Sequence, residues 1–290
     1  MNRKSISYLG PEGTNSEFAA FQYDPVAELI ATSTMTEAIL NIKNDLSDFA
    51  ICAIENSLEG PINEVLDILI DPNNDLKIFD ELVLRINHLL VGPINLKIDQ
   101  VRFIFSHPQA LAQCRNSIAS LSKNMKLISS SSTATAVESA MKENQSAAIA
   151  TKYAADLYHA KVIKDDFADS QDNFTRFVII GKNDNEPSGN DKTSIAFTAQ
   201  HDRPGSLVEI LQLFSNNNLN LTKIESRPTK SMLGTYVFLI DVDAHYQDMH
   251  LNEVILEIKK IADWVKIIGS YPKFVVWFFF NLEAFISISR

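Results

Sequence analysis

Four polar segments, each set between an apolar run and a stretch of helical period, concentrate hydroxyl and imidazole groups in this chain: Thr14-Asn15-Ser16-Glu17, Thr34-Met35-Thr36-Glu37, Ser106-His107-Pro108 and Ser132-Thr133. The first amides of a helix lack intrahelical acceptors and sit at the positive end of its dipole. A strand entering a helix through such residues therefore makes a pocket for an anion. In open α/β sheets ligands settle outside the strand C-termini, where several of these helix mouths must lie. The chemistry predicted is capture of a small polyanion by neutral donors. A plain helix cap uses the same residue types, so no single position identifies a ligand contact.

The elements carrying these mouths follow from pattern and spacing. Ser5 to Leu9 and Phe49 to Ile54 are apolar runs of strand length. Thr14…Glu17 and Thr34…Glu37 have the spacing of a capping box, which predicts a helix after each. Gly60-Pro61 opens a further helical segment, with Ile62, Val65, Leu66 and Leu69 on one face and the proline where no amide donor is needed. Ser106-His107-Pro108 leads into a stripe of Leu111, Cys114, Ile118 and Leu121, and Ser132-Thr133 into one of Ala134, Val137 and Met141. Short apolar runs alternating with helical segments predict an α/β domain with a largely parallel sheet. From Lys182 to Lys192 the chain is polar, holds Pro187 and Gly189, and has nothing to bury, which marks a domain boundary. Beyond it, Thr193 to Ala199, Leu219 to Ile224, Thr235 to Val242 and Val265 to Ile268 read as strands, and Pro204 to Phe214 and Leu251 to Ile261 as helices. The order β-α-β-β-α-β is that of a ferredoxin-like domain. No nucleophile, base and orienting group occur together in it, so a regulatory or structural role is expected.

Composition removes several classes. The 290 residues are 46% hydrophobic with mean hydropathy −0.03, enough for two cores. A net charge of −10 argues against a nucleic-acid footprint. Cys52 and Cys114 both stand in apolar stretches and no zinc spacing occurs, which predicts reduced, buried thiols and no metal. No nucleotide loop calls for a cofactor. The apolar segment after Ser5 is too short for a secretory signal, so a cytoplasmic protein is expected. The run Phe274 to Phe280, with Asn281 and Glu283 beyond it, is too short and interrupted for a membrane span and reads as a packed or disordered tail.

Tyr8-Leu9-Gly10-Pro11-Glu12-Gly13-Thr14, Ala53-Ile54-Glu55-Asn56-Ser57-Leu58-Glu59-Gly60, Ser106-His107-Pro108-Gln109-Ala110-Leu111 and Asp172-Asn173-Phe174-Thr175-Arg176-Phe177 come in the order of the motifs of prephenate dehydratases, and the chain resembles that family on all four. Arg203-Pro204-Gly205-Ser206-Leu207 and Glu225-Ser226-Arg227-Pro228 resemble the phenylalanine-binding motifs of the family's ACT domain. The likeness runs from Ile6 to Pro272. It departs at Asn15, where an aromatic residue is usual, and at Ser206, where many relatives have alanine. The resemblance implies a two-lobed, periplasmic-binding-protein-like α/β catalytic domain over 1–182, a ferredoxin-like ACT domain over 192–272, and an apolar tail, 273–290, outside the family pattern.

It also implies a lyase that converts prephenate to phenylpyruvate by decarboxylative dehydration in phenylalanine biosynthesis, without metal or organic cofactor and under feedback control by phenylalanine. Thr175 is then the catalytic residue, a preorganised donor to the departing hydroxide, and Arg176 offers a fork to a carboxylate. Phe177, Asn56, Ser57, Glu55, Thr14, His107, Gln109 and Asn173 complete the substrate site. Glu55 and Glu59 would repel a dianion unless protonated, and pairing with Arg176 is the alternative. His107 either donates to substrate or only shapes the turn before Pro108. Gly205, Ser206 and Leu207 would bind the effector's carboxylate, with Asn218, Leu219, Asn220 and Leu221 closing the site from a neighbouring subunit of a homodimer or homotetramer. Three rivals share parts of the pattern: arogenate dehydratase, whose substrate carries an amine in place of the keto group, a two-lobed binding protein, and a DNA-binding regulator, for which no basic helix-turn-helix is present.

Overall fold

The computed structural model describes residues 3–121, 125–199, 204–228 and 236–274. Its first lobe holds strands β1 (Ser5–Leu9), β2 (Glu28–Thr32), β3 (Phe49–Asn56), β4 (Gly60–Pro61) and β5 (Lys77–Arg85), with helices α1 (Asn15–Tyr23), α2 (Met35–Lys43) and α3 (Asn63–Ile70). The second holds β6 (Leu89–Gly92), β7 (Phe103–Ser106), β8 (Lys126–Ser129), β9 (Ser146–Ala150) and β10 (Lys161–Lys164), with α4 (Pro108–Gln113), α5 (Arg115–Leu121), α6 (Thr133–Lys142) and α7 (Lys152–Leu157). Strand β11 (Phe174–Gly181) then returns to the first sheet.

The sheets are mixed, not largely parallel. In the order β2-β1-β3-β11-β5, β1 runs parallel to both neighbours while β11 is antiparallel to β3 and β5. The order β10-β6-β9-β7-β8 is parallel only around β7. The reason is the double crossing between lobes: the chain leaves through β5 into β6 and comes back through β10 into β11, and outgoing and returning strands lie side by side. The crossings are also tied to each other, Ile86 N–H donating to Asn173 O at 2.8 Å and Phe167 N–H to His88 O at 2.8 Å.

Local signals act as their chemistry requires, with shifts of detail. Thr14 and Thr34 cap α1 and α2 by accepting from the Glu17 and Glu37 amides. Each glutamate reaches one residue past the cap, Glu17 to the Gly13 amide at 2.5 Å and Glu37 to the Ser33 amide at 2.8 Å. Gly60-Pro61 does not open a helix. Gly60, at φ +83°, turns the chain so that Gly60–Pro61 pairs with β3, and α3 starts only at Asn63. The helix after His107 breaks at Cys114 into α4 and α5.

The C-terminal domain runs β12 (Asp191–Ala199), α8 (Ser206–Asn216), β13 (Leu221–Pro228), β14 (Tyr236–Val242), α9 (Met249–Ile261) and β15 (Ala262–Pro272), an antiparallel sheet in the order β13-β14-β12-β15. Ile210, Phe214, Leu251, Val254 and Ile258 of the helices cover one face. The other face is buried too: Ala196, Val237, Leu239, Ile268 and Tyr271 share a core with Ile42, Leu66, Leu69 and Ile78 of the first lobe. Gly269 is required at this contact, because a Cβ there would fall within 2.6 Å of the Ile78 amide nitrogen and nearer still to its carbonyl oxygen. The connecting run is not merely solvated: the buried Asp191 carboxylate takes the Ser188 and Gly189 amides, and Asn185 donates to Phe79 O. Phe274 packs on the first lobe. Residues 275–290, with the rest of the apolar tail, lie outside the described residues, as do Arg203 and Thr235.

Candidate active site

A cleft of about 710 Å³ opens between the lobes. Thr14, Asn56, His107, Gln109, Asn173, Thr175 and Phe177 all line it, brought from both lobes and the returning crossover. Helix mouths surround it: Thr14 to Ser16 of α1, Ser33 ahead of α2, His107 and Gln109 of α4, and Ser131 to Thr133 of α6. No lysine or arginine is among the described residues that line it. An anion here meets amides, hydroxyls and helix dipoles, each dipole worth about 0.3–1 kcal/mol and more where partly buried.

Thr175 sits on β11 directly opposite Asn56 on β3, buried at 8% exposure. Its Oγ1 accepts from Asn56 Nδ2 at 2.9 Å, which leaves the hydroxyl proton for a partner in the cleft. Asn56 is itself held: Nδ2 also donates to Asn173 Oδ1 at 2.8 Å, and Oδ1 accepts the Leu58 and Glu59 amides. The chain continues from Asn173 Nδ2 to Gln113 Oε1 at 3.0 Å, and that oxygen also meets His88 Nε2 at 2.9 Å. Because Gln113 Nε2 donates to Glu59 Oε1 at 3.2 Å, Gln113 Oε1 must accept, and His88 carries its proton on Nε2. Burial holds His88 below the usual imidazole range, against the Gln113 hydrogen bond, so the ring is neutral at pH 7. His88 Nδ1 is buried without a partner. At His107, Nδ1 accepts from the Gln109 amide at 3.4 Å, so this ring both caps α4 and lines the cleft.

Three residues expected at the substrate lie elsewhere. Arg176 follows Thr175 on a strand, where successive side chains point to opposite faces, and its guanidinium is largely buried, 12% of the side chain remaining exposed, between the first lobe and the C-terminal domain. There it donates to Glu81 Oε2 at 2.7 Å, Asp241 Oδ2 at 2.7 Å and the Tyr271 hydroxyl at 2.9 Å. Glu55, opposite Arg176, shares that face, 3.7 Å from Arg176 Nη1 and 3.2 Å from Lys223 Nζ. Ser57 Oγ donates to Asp172 O and accepts the Phe174 amide, fastening a turn and not lining the cleft. Conversely, His88 and Gln113 line the cleft without having been singled out, and Glu37, read only as part of a capping box, lines it too. Gln113 was discoverable, one helical turn beyond Gln109. His88 had no local signal, since only the meeting of the crossovers places it. Cys52 and Cys114 are buried and unbridged, and burial, with Asp169 nearby, pushes the Cys114 thiol up to about 12, far from a nucleophile's range. Among the described residues no cluster of three or more His, Cys, Asp or Glu is placed to hold a metal.

On the C-terminal domain, Gly205 takes a left-handed conformation at φ +97° as the N-cap of α8, followed by Ser206 and Leu207. Asn218 to Leu221 joins α8 to β13, with Asn220 Nδ2 donating to Asp243 Oδ2 at 2.9 Å and Asn220 O accepting the Asp243 amide at 3.0 Å.

The family model for prephenate dehydratase matches residues 6–185, and that for the ACT domain matches 193–259. The chain belongs to the prephenate dehydratase family. It is 35% identical to the prephenate dehydratase of Methanocaldococcus jannaschii, over 93% of this chain and 99% of that one. With the bifunctional chorismate mutase/prephenate dehydratase of Pseudomonas aeruginosa it shares 38% identity over 93% of this chain and 74% of that protein. A crystal structure of prephenate dehydratase from Arthrobacter aurescens in complex with L-Phe superposes with a TM-score of 0.84 at 30% identity, covering 93% and 90% of the two chains. Members of this family are lyases, and the two-lobed α/β architecture with an ACT domain is the family's.

Proposed function

We propose that this prephenate dehydratase family member makes phenylpyruvate from prephenate, with Thr175 as the donor to the leaving hydroxide. The observation that carries the reading is the Asn56–Thr175 pair at the floor of a cleft ringed by helix mouths. As the ring carboxylate leaves as carbon dioxide, its bonding pair enters the ring, the carbon–oxygen bond breaks, and the hydroxide takes a proton to leave as water. Aromatisation drives the step. The enzyme must orient the dianion and stabilise charge developing on the departing oxygen. Thr175 suits the second task because Asn56 holds its oxygen, so the hydroxyl turns its proton outward without reorganising. The carboxylates belong at the mouths of α1 and α6, with Asn173 and Gln109 as neutral donors, His107 as a further donor at the mouth of α4, and Phe177 as an apolar wall.

The catalytic unit is assigned to 1–182 and the regulatory one to 192–272, in a cytoplasmic homodimer or homotetramer. No helix among the described residues is long and apolar enough to cross a membrane. Phenylalanine is assigned to Gly205, Ser206 and Leu207, with Asn218 to Leu221 of a neighbouring subunit closing over it. The test is turnover of purified protein on prephenate and on arogenate in parallel, with and without millimolar phenylalanine. Phenylpyruvate formation that phenylalanine alters supports the reading; turnover of arogenate alone moves the substrate to its amine analogue, and turnover of neither discards it.

A further inference from the structure

The position of Arg176 calls for a role that substrate binding does not supply. Thr175 and Arg176 are consecutive on β11, one facing the cleft and the other the C-terminal domain. The guanidinium is tied to β5 through Glu81, to β14 through Asp241 and to β15 through Tyr271. Each tie is braced in turn: Ser194 Oγ lies 2.6 Å from both Asp241 Oδ1 and the Tyr271 hydroxyl, and Lys192 Nζ reaches Glu81 at 2.7 Å. Arg176 and Lys192 balance Glu81 and Asp241. Burial alone disfavours the guanidinium charge, yet Tyr271, Asp241 and Glu81 outweigh it and keep Arg176 protonated. A buried, fully paired network of this kind holds one geometry, because breaking any pair strands a charge.

The same β14 strand leads to the proposed effector segment. Two residues beyond Asp241, Asp243 exchanges two hydrogen bonds with Asn220, and Asp241 pairs in register with Lys223 of β13. From Asn220 through Asp243 and Asp241 to Arg176 and its neighbour Thr175, every link is a covalent bond or a hydrogen bond.

We propose that Arg176 is a positioning residue for Thr175, and that its clamp on Asp241 and Tyr271 carries the occupancy of the phenylalanine site to the cleft. The proposal rests on the reading that Asn218 to Leu221 closes over phenylalanine held by a neighbouring subunit. A shift of β14 on binding moves Asp241, Arg176 follows because the pair cannot part cheaply in its buried setting, and Thr175 turns with β11 relative to substrate.

The experiment uses the full chain and two variants, Tyr271→Phe, which removes one hydroxyl, and Arg176→Lys, which keeps the charge but loses the fork. Calorimetry measures phenylalanine binding, and steady-state kinetics on prephenate are run with and without saturating phenylalanine. In the parent, phenylalanine is expected to bind and to change kcat/KM by roughly 5-fold or more. Both variants should bind phenylalanine within about threefold of the parent, while the kinetic response falls below about twofold. Arg176→Lys should also lower kcat more than it raises KM, as expected when a reacting group is displaced but substrate binding is not. Retention of the full response in folded variants overturns the proposal. Absence of phenylalanine binding in the parent overturns the effector reading and the proposal with it, an outcome read directly from the calorimeter. If Arg176→Lys fails to fold, Tyr271→Phe decides alone.

Discussion

Replacing Thr175 by valine removes the hydroxyl and keeps a β-branched side chain of nearly the same shape on a strand that favours it. The hydroxyl accepts one hydrogen bond, from Asn56 Nδ2. Asn56 keeps Asn173 Oδ1 at 2.8 Å and Phe174 O at 3.2 Å as acceptors, so no donor is stranded. The stability cost is then that of one ordinary hydrogen bond, about 0.5–1.5 kcal/mol. The transition state loses a preorganised donor to a developing charge, a change worth about 2.7–4 kcal/mol, or roughly 10²- to 10³-fold in kcat. Because ground-state binding is assigned to the helix mouths, KM should stay within about threefold. The assay is phenylpyruvate formation across a prephenate series, with thermal unfolding as the control on folding. A folded Thr175→Val enzyme that keeps kcat within about tenfold of the parent removes Thr175 from the mechanism, and one whose KM rises while kcat holds makes it a binding residue.

Other substitutions probe the frame around this site. His88 is buried and neutral, with its proton affinity lowered by burial. The unfolded chain therefore binds more protons below about pH 6.5, and stability should fall as pH drops through that value toward the lower folded one. Urea unfolding at several pH values should show this slope, and His88→Gln should flatten it. Gly269→Ala forces a methyl group into the Ile78 backbone, where neither side can yield, and should destabilise by about 3 kcal/mol or more. A small change in the thermal midpoint would show that the two domains separate freely. Lys266 Nζ donates to Leu69 O in the last turn of α3 and to Asp71 O and Asn74 O beyond its end. Lys266→Met should cost about 1–3 kcal/mol by stranding the carbonyls of the buried Leu69 and Asn74, measured by chemical denaturation.

What could be read along the chain was whatever neighbours in sequence decide. Thr14, Thr34, Ser132 and His107 cap helices because a side-chain oxygen or ring nitrogen reaches an amide two or three residues away, and the β-α-β-β-α-β order follows from periodicity within each segment. The helix predicted from Gly60 begins only at Asn63, because pairing of Gly60–Pro61 with β3 outweighed the local preference for an earlier start. The mixed sheets could not be read at all, since strand direction is settled by the double crossing between lobes.

The motif around Thr175 was enough to bring family and chemistry into view, and the alternation of a strand already barred Thr175 and Arg176 from facing the same way. Which of the two faces the cleft depends on the pairing of β11 with β3, residues 119 positions apart in the Asn56–Thr175 bond. Likewise, Arg176 meets Asp241 and Tyr271 only because the C-terminal sheet packs on the first lobe. Local sequence determined the helix mouths, the elements and the residue types that do chemistry. Tertiary structure alone chose which of those residues share a cleft and which tie one domain to another, because such contacts are set by burial and pairing between segments whose separation no local preference encodes.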